Sequence, residues 1–317
     1  MLISIISLVS GFILLIWSAD AFTDNGAKIA NIFKISPFII GILIFGFGTS
    51  APEMLVSGLA AFEGHPELSV GNAFGSNILN IALVLGVTAM IMPIKIELKV
   101  IKKEWLYLMF TTLIAGLLVW DRHLGVMDGT ILFGLLAVFL LYTFNESKKD
   151  HHEFDNLSSK IDIDQKGRIW IILLISFIVL LVSAKLIVYG GTSLAVQFGV
   201  SDLIIGLTVV ALGTSLPELA VSITSAIKKQ HAMVVGNIIG SNLFNTVGVL
   251  AIPGLISPLY VPEKLITRDY PFMLVLTTLI FVFVASHKFS KESTISRLEG
   301  ALFILILFFY LYLLFWK

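Results

Sequence analysis

Apolar runs of about 20 residues, the length that crosses the hydrocarbon core of a bilayer as an α-helix, recur along the whole 317-residue chain. Stretches such as 131–142 and 302–316 are apolar on all sides, whereas a β-barrel strand would alternate apolar and polar residues. Charged residues make up only 13% of the chain, far fewer than in soluble domains. We therefore predict an all-α integral membrane protein. Its ten transmembrane helices are expected at approximately 2–22, 37–61, 69–94, 104–120, 125–145, 169–190, 202–227, 232–258, 269–286 and 297–316.

The two halves of the chain repeat each other at an offset of 165 residues. The segment GTSAPE at 48–53 matches GTSLPE at 213–218, and GNAFGSNILN at 71–80 matches GNIIGSNLFN at 236–245. Each half holds five predicted spans, and this odd number makes the second copy enter the membrane from the opposite side. We therefore expect two inverted five-helix repeats. They comprise residues 1–145 and 169–317, joined by a polar linker at 146–168.

Lysine and arginine residues are shared unevenly between the two sides of the predicted bundle. If the N-terminus lies outside, most of the 21 basic residues fall on the inner side. Because cytoplasmic loops carry an excess of lysine and arginine, we predict a multi-pass protein of the cell membrane with both termini outside and a cytoplasmic linker. Asp20 and Lys185, at equivalent positions of the two repeats, are expected near the ends of their spans.

Each repeat carries one glutamate well inside a predicted span, Glu53 in the first and Glu218 in the second. An acidic residue at the centre of a membrane helix costs roughly 2.5–3.5 kcal/mol even on insertion scales, so each glutamate needs a counter-charge. The only basic residue predicted within a span is Lys185, near the outer end of the sixth helix. A mobile cation is therefore the expected partner of both carboxylates.

Oxygen-bearing groups accompany both glutamates. Thr49 precedes Glu53 by four residues, which places hydroxyl and carboxylate on one helix face, and Pro52 is expected to leave the Gly48 carbonyl without its helical partner. The second repeat matches these positions. Each Gly-Asn motif adds polar residues four apart and small residues that admit a neighbouring helix. The polar stripes are Asn72, Ser76 and Asn80 with Asn237, Ser241 and Asn245, and the small-residue stripes are Gly71 and Gly75 with Gly236 and Gly240. Such a set of hard oxygens suits Ca²⁺ and also Na⁺.

The paired segments GTSAPE with GNAFGSNILN and GTSLPE with GNIIGSNLFN resemble the two alpha-repeats of the cation/calcium antiporter superfamily, specifically its prokaryotic sodium/calcium exchanger branch. The resemblance covers both halves of the chain. It implies a secondary antiporter that exchanges Na⁺ for Ca²⁺ by alternating access, with the ions at the midplane between helices 2, 3, 7 and 8. The transported Ca²⁺ and Na⁺ are then the partners, together with the lipid bilayer. We expect no cofactor, no nucleic acid and a monomer.

The resemblance also implies individual ligands. Glu53 and Glu218 would be shared by Ca²⁺ and Na⁺, and Thr49 and Thr214 would contribute backbone oxygens. The other implied positions are Ser50, Ser76, Ser215 and Ser241 as sodium ligands, Gly46 and Ala211 as carbonyl donors, and Asn80 and Asn245 at the middle of the site. Some members of the superfamily, including potassium-requiring ones, carry Asp where this chain has Asn245, and proton-coupled relatives tend to have an acid in the Gly-Asn motif. Asparagine in both repeats argues against the alternative, a H⁺- or K⁺-coupled calcium/cation antiporter.

Other classes of protein are weighed against this prediction. An intramembrane hydrolase would pair Ser50 or Ser215 with a histidine, but all six histidines fall in predicted loops or at span ends, so we predict no enzyme. A duplicated scaffold would gain nothing from polar residues at membrane depth. A channel would use similar ligands but would pass Ca²⁺ without Na⁺ on the other side, whereas inverted repeats with interrupted helices favour a carrier.

Overall fold

The computed structural model describes residues 1–95, 98–149, 163–198, 211–286 and 293–315, and these residues are almost entirely helical. Among them, eight helices are long and apolar enough to cross a membrane. The prediction of an all-α membrane protein is confirmed. The helices, in chain order, are α1 (Leu2–Phe33), α2 (Pro37–Phe62), α3 (Pro66–Ile91), α4 (Leu98–Leu118), α5 (Val126–Lys149), α6 (Ile163–Gln197), α7 (Leu216–Ile227, preceded by a short turn at Ala211–Thr214), α8 (His231–Ile256), α9 (Leu265–Ser286) and α10 (Arg297–Phe315).

Two parts of the sequence prediction lie outside these residues. The first part of the predicted span 202–227 lies outside them, because the described chain resumes at residue 211. Most of the predicted linker 146–168 also lies outside them, since residues 150–162 are not among those described. Both remain predictions.

Helices α1 and α6 pack against each other along their length and extend further than predicted. The expected ends near residues 22 and 190 are wrong, because the helices continue to Phe33 and Gln197. Asp20 and Lys185 therefore lie within helices, each on an exposed surface. At about 1.5 Å per residue, helices of this length exceed the hydrocarbon thickness of about 30 Å, so charged groups near their ends can lie beyond the apolar layer.

Helices α2, α3 and α8 each contain a π-helical stretch between two α-helical parts, and α9 begins with another at Leu265–Asp269. The first three stretches lie at Gly41–Gly46 in α2, Asn80–Leu85 in α3 and Phe244–Val249 in α8. A π-helical turn widens the backbone spacing and frequently marks a functional site. Because Asn80 and Asn245 lie in two of these stretches, the irregular backbone coincides with residues predicted to line an ion site.

Helices α2 and α8 approach each other glycine to glycine. A Cβ atom on Gly41 would lie 2.6 Å from the Met233 carbonyl oxygen, and one on Gly46 would lie 2.9 Å from the Gly240 Cα. A Cβ on Gly236 would overlap the Phe38 carbonyl oxygen. The predicted close approach along the second small-residue stripe is therefore confirmed. The first stripe, Gly71 and Gly75, has no described neighbour within 4 Å, so its prediction is not tested.

Two small antiparallel strand pairs tie the halves together, and the sequence did not predict them. Strand β1 (Ile94–Lys95) pairs with β4 (Thr294–Ile295), and β2 (His123–Leu124) pairs with β3 (Leu259–Tyr260). Each pair joins a loop of the first half to a loop of the second. The end of α3 also packs on α10, while the end of α8 packs on α5. The two halves thus interlock around α3 and α8, whose residues form much of the buried core.

Candidate ion-binding site

Both intramembrane glutamates lie in the first turn of a helix that restarts after a break. The breaks are at Ser50, with φ −83° and ψ 0°, and at Ser215, with φ −89° and ψ 4°. A proline follows each break, and proline is tolerated at the first turn of a helix because the N–H it lacks would have no partner there. The carboxylates of Glu53 and Glu218 therefore lie near the positive end of a helix dipole, where a negative charge is stabilised.

One expectation about these breaks is wrong. The Gly48 carbonyl still accepts a backbone N–H at the end of the short turn Phe47–Thr49. The chain bends into a tighter turn at Ser50, so a nearer N–H takes the place of the one that Pro52 lacks. The carbonyl of Gly48 is therefore not released towards an ion path.

Glu53 and Glu218 are completely buried, with 0% of each residue exposed. Neither carboxylate oxygen of Glu53 has a hydrogen-bond partner among the described residues, and Oε2 of Glu218 has none either. No ion pair in the described part of the chain reaches them, because its basic residues pair elsewhere or face the surface. Since an unpaired buried carboxylate costs several kcal/mol, this site calls for a cation.

The Glu218 side chain meets the first repeat at Ser50. The Ser50 hydroxyl donates to Glu218 Oε1 across 3.5 Å, the outer limit of a hydrogen bond. A bond this long holds the carboxylate weakly. Ser50 therefore brings the GTSAPE segment of one half to the acid of the other half and leaves both groups available to a bound ion.

A second cross-repeat cluster surrounds Thr49 on α2. Its hydroxyl donates to the Phe45 carbonyl across 2.9 Å and lies 3.3 Å from both the Ser241 hydroxyl and the Asn237 Oδ1 on α8. The Ser241 hydroxyl donates to the Gly46 carbonyl across 3.3 Å. Ser241 thus lies within hydrogen-bonding distance of both Gly46 and Thr49, and all three are predicted ligands. The glycine contacts between α2 and α8 permit this approach.

Two asparagines hold the glutamate helices against their neighbours. On α3, Asn72 donates from Nδ2 to the Glu53 carbonyl across 3.1 Å and to the Ser57 hydroxyl across 3.1 Å. The second repeat has the same arrangement, since Asn237 Nδ2 donates to the Glu218 carbonyl across 3.4 Å and to Ser222 across 3.0 Å. These asparagines position the acids through the backbone rather than through the carboxylates.

Ser57 and Ser222 were missed as contributors to the site by the sequence reasoning. Both are fully buried, and each lies four residues after its glutamate. They are identical at the repeat offset of 165, which is the signal that would have found them.

The remaining predicted ligands are placed as follows. Asn80 and Asn245 are fully buried, and neither polar atom of either side chain has a partner among the described residues. The Ser215 hydroxyl also has none, whereas Ser76 donates to Asn72 Oδ1 across 3.3 Å. Thr214 and Ala211 lie in the turn before the second break, where only the backbone of Ala211 is described. Leu216–Ile227 packs on the π-helical stretch of Asn80, and Ala51–Phe62 packs on that of Asn245.

The site therefore combines two buried acids with neutral oxygen groups. Within the described residues, no group of three or more histidine, cysteine or acidic side chains is placed to hold a metal ion. Hard cations accept hydroxyl, amide, carbonyl and carboxylate oxygens together, so this donor set is suited to Ca²⁺ and to Na⁺. Two fixed negative charges match one divalent cation.

Comparison with known proteins gives a consistent result. The family model described as "Sodium/calcium exchanger protein" matches residues 3–145 and 168–316. The inner membrane protein YrbG of Escherichia coli (strain K12) is 35% identical over 287 residues, which cover 89% of this chain and 88% of YrbG. The sodium/calcium exchanger MaX1 of Methanosarcina acetivorans is 26% identical over 99% of both chains. The solved sodium-calcium exchanger NCX_Mj, soaked with 100 mM Na⁺ and 10 mM Sr²⁺, aligns with a TM-score of 0.85 and 32% identity over 100% of this chain and 99% of its own.

Proposed function

The chain belongs to the sodium/calcium exchanger protein family, and we propose that it is a secondary antiporter that exchanges Na⁺ for Ca²⁺ by alternating access. The observation that carries the proposal is the pair of buried carboxylates that lack a basic partner among the described residues. A permanent basic partner would neutralise the two carboxylates in every state of the protein. A transported cation instead neutralises the carboxylates only while it is bound, as a carrier requires.

The ions bind where the broken helices meet, between α2, α3, α7 and α8. Glu53 and Glu218 are ligands of both Ca²⁺ and Na⁺, and Asn80 and Asn245 line the middle of the site. The further ligands are Ser50, Ser76, Ser215 and Ser241, with backbone oxygens of Thr49, Thr214, Gly46 and Ala211. Support comes from the unpartnered oxygens of the acids and asparagines, and from the hydrogen bonds that bring Gly46, Thr49 and Ser50 to the second repeat.

Ten transmembrane helices form two inverted repeats. During alternating access, one set of helices rocks against the other. The ends of equivalent helices support this arrangement. Lys228, directly after α7, contacts Asp20 and Asp24 of α1, about two and a half to three and a half turns before the loop that leads into α2. Glu63, the equivalent position of the first repeat, lies instead at the far end of α2. The reciprocal strand pairs β1–β4 and β2–β3 support the same symmetry.

The protein lies in the cell membrane as a monomer with both termini outside and its linker in the cytoplasm. The excess of basic residues in the predicted inner loops supports this orientation. The hydrolase alternative finds no support, because the Ser50 hydroxyl donates to Glu218 and that of Ser215 has no partner among the described residues.

The proposal is tested with purified protein in liposomes loaded with Na⁺. Labelled Ca²⁺ should enter only when Na⁺ is present inside, and entry should be unchanged when external K⁺ or pH is varied. Ca²⁺ entry without internal Na⁺ would indicate a channel. Dependence on K⁺ or on a pH gradient would establish the alternative coupling instead.

A further inference from the structure

Two pairs of charged residues stand at equivalent positions of the repeats with their signs exchanged. Asp20 on α1 corresponds to Lys185 on α6, within the matching segments Ser18-Ala19-Asp20 and Ser183-Ala184-Lys185. Glu63 after α2 corresponds to Lys228 after α7 at the same offset of 165. An acid in one repeat is therefore replaced by a base in the other at both places.

The two helix ends that carry Glu63 and Lys228 also have the same local structure. The Glu63 N–H donates to the carbonyl four residues before it across 2.9 Å, and the Lys228 N–H does so across 3.0 Å. The next residue is left-handed in both copies, with φ 84° at Gly64 and φ 60° at Lys229. The charged side chains thus leave the two helices from matching backbone positions.

One of the two possible contacts is formed in the structure. Lys228 Nζ lies 2.7 Å from a carboxylate oxygen of Asp20 and 2.7 Å from one of Asp24, and it also donates to the Asp20 carbonyl across 2.9 Å. These bonds join the second half of α1 to the end of α7, and the two helices pack together there. This contact ties α1 to the end of the helix that carries Glu218.

The equivalent contact on the opposite face is open. Lys185 and Glu63 are both exposed, and neither side chain makes an ion pair or hydrogen bond with a described residue. The described parts of α6 and α2 show no packing that corresponds to that of α1 on α7. Tyr189, which occupies the position equivalent to Asp24, is also exposed, at 57%. Two possible donors on α6 and the equivalent acid after α2 therefore have no contact with each other in this conformation.

We propose that Lys185 and Tyr189 close on Glu63 in the opposite-facing state, as the counterpart of the contact between Lys228, Asp20 and Asp24. This inference rests on the proposed alternating access, in which the two repeats exchange conformations. Each face is then closed by its own contact, which we call a latch. In one latch the acids lie on α1, whereas in the other the donors lie on α6. The reversal gives specificity, because Lys228 cannot pair with Lys185 and Glu63 cannot pair with Asp20.

Cross-linking in this cysteine-free chain tests the latch. One variant carries Lys185→Cys with Glu63→Cys, and the reference variant carries Asp20→Cys with Lys228→Cys. Both are treated with a short, reducible bifunctional thiol reagent during ion exchange. The crossed pairs, Asp20→Cys with Glu63→Cys and Lys185→Cys with Lys228→Cys, are the matched controls and should not cross-link, because their residues lie on opposite faces.

We expect both latch pairs to cross-link, each cross-link to stop Ca²⁺ exchange, and reduction to restore it. Absence of the Lys185/Glu63 cross-link in a protein that exchanges Ca²⁺ would overturn the latch and leave the proposed function intact. A parent protein that does not exchange Ca²⁺ for Na⁺ would instead refute the proposed function.

Charge reversal provides a second test. Because an exposed ion pair is worth little, Lys185→Glu alone should slow exchange only about twofold to fivefold. Adding Glu63→Lys restores opposite charges and should return the rate to that of the parent. If the double variant is as slow as the single one, charge pairing between these residues is not what closes this face.

Discussion

Replacement of Glu53 by Gln tests the site most directly, because both carboxylate oxygens of Glu53 are buried without a described partner. Glutamine keeps the size and shape of the side chain, so the helix that restarts after Ser50 should remain folded. The change removes one of the two negative charges available to the ion. It also removes the cost of burying an unpaired carboxylate in the empty protein.

The magnitude follows from the charge of the ion. At a Ca²⁺–oxygen distance of about 2.4 Å and an effective dielectric constant of about 20, the Coulomb attraction between two unit charges is roughly 7 kcal/mol. The double charge of Ca²⁺ makes this attraction about twice as large. Most of this is offset by desolvation, and removing one partner of a buried charge pair costs about 2–5 kcal/mol overall. We therefore expect Ca²⁺ binding to weaken roughly 30- to 5,000-fold, with a smaller loss for Na⁺.

Two measurements check this prediction. Thermal unfolding of the purified protein should show a higher midpoint for Glu53→Gln than for the parent without ions, and the stabilisation by added Ca²⁺ should disappear. Labelled Ca²⁺ uptake into Na⁺-loaded liposomes should fall to background. Glu67→Gln is the matched control, because Glu67 is exposed in the same half and should change neither quantity. Uptake and Ca²⁺ stabilisation that match the parent in Glu53→Gln would refute the site.

Three further predictions concern charge movement, orientation and packing. If three Na⁺ replace one Ca²⁺, each cycle moves one positive charge across the membrane. A potential of about 100 mV then changes the free energy of exchange by roughly 2.3 kcal/mol, which is near fiftyfold in the equilibrium ratio. Ca²⁺ uptake that does not respond to an imposed potential would instead show neutral two-for-one exchange. A cysteine at His65 should react with an impermeant thiol reagent outside intact cells, while one at Ser158 in the predicted linker should be protected. The reverse labelling pattern would show that the predicted inside and outside are exchanged. Gly236→Ala should lower the unfolding midpoint because its Cβ overlaps the Phe38 carbonyl, whereas Gly134→Ala, which has no described atom within 4 Å, should be neutral or stabilising; equal midpoints would refute the packing argument.

The repeat explains why so much of the site could be predicted from the sequence. A match such as GTSAPE with GTSLPE identifies polar residues at membrane depth, and those residues are costly unless they bind something. The structure brings Ser50 to Glu218, and Gly46 and Thr49 to Ser241, as expected for two copies that share one site. The periodicity of the Gly-Asn motif likewise predicts that a neighbouring helix approaches Gly236 and Gly240, and the structure shows that this neighbour is α2.

The features that were missed depend on details that a hydropathy pattern does not contain. The ends of α1 and α6 were placed too early because the apolar run of α1 stops at Asp20 and Asp24, and that of α6 stops at glycine and hydroxyl residues 190–193, whereas both helices continue past these positions. The π-helical stretches cannot be predicted because they shift hydrogen bonds by one residue without changing composition. The tightened turn at Ser50, which keeps the Gly48 carbonyl bonded, is likewise a matter of backbone geometry.

The charge of the site gives a physical reason for coupling one ion to the other. If both acids are ionised, as the proposed function requires, the empty site carries two negative charges on residues that are completely buried. Moving those charges through a closed intermediate is costly, because buried charges without partners lose their solvation. A bound Ca²⁺, or several Na⁺, removes that cost. The loaded protein can therefore reorient and the empty protein cannot, so under the proposed function one ion leaves only when the other takes its place. Under the proposed function, asparagine at positions 80 and 245 suits this coupling, because an additional acid would leave a bound Ca²⁺ short of one positive charge.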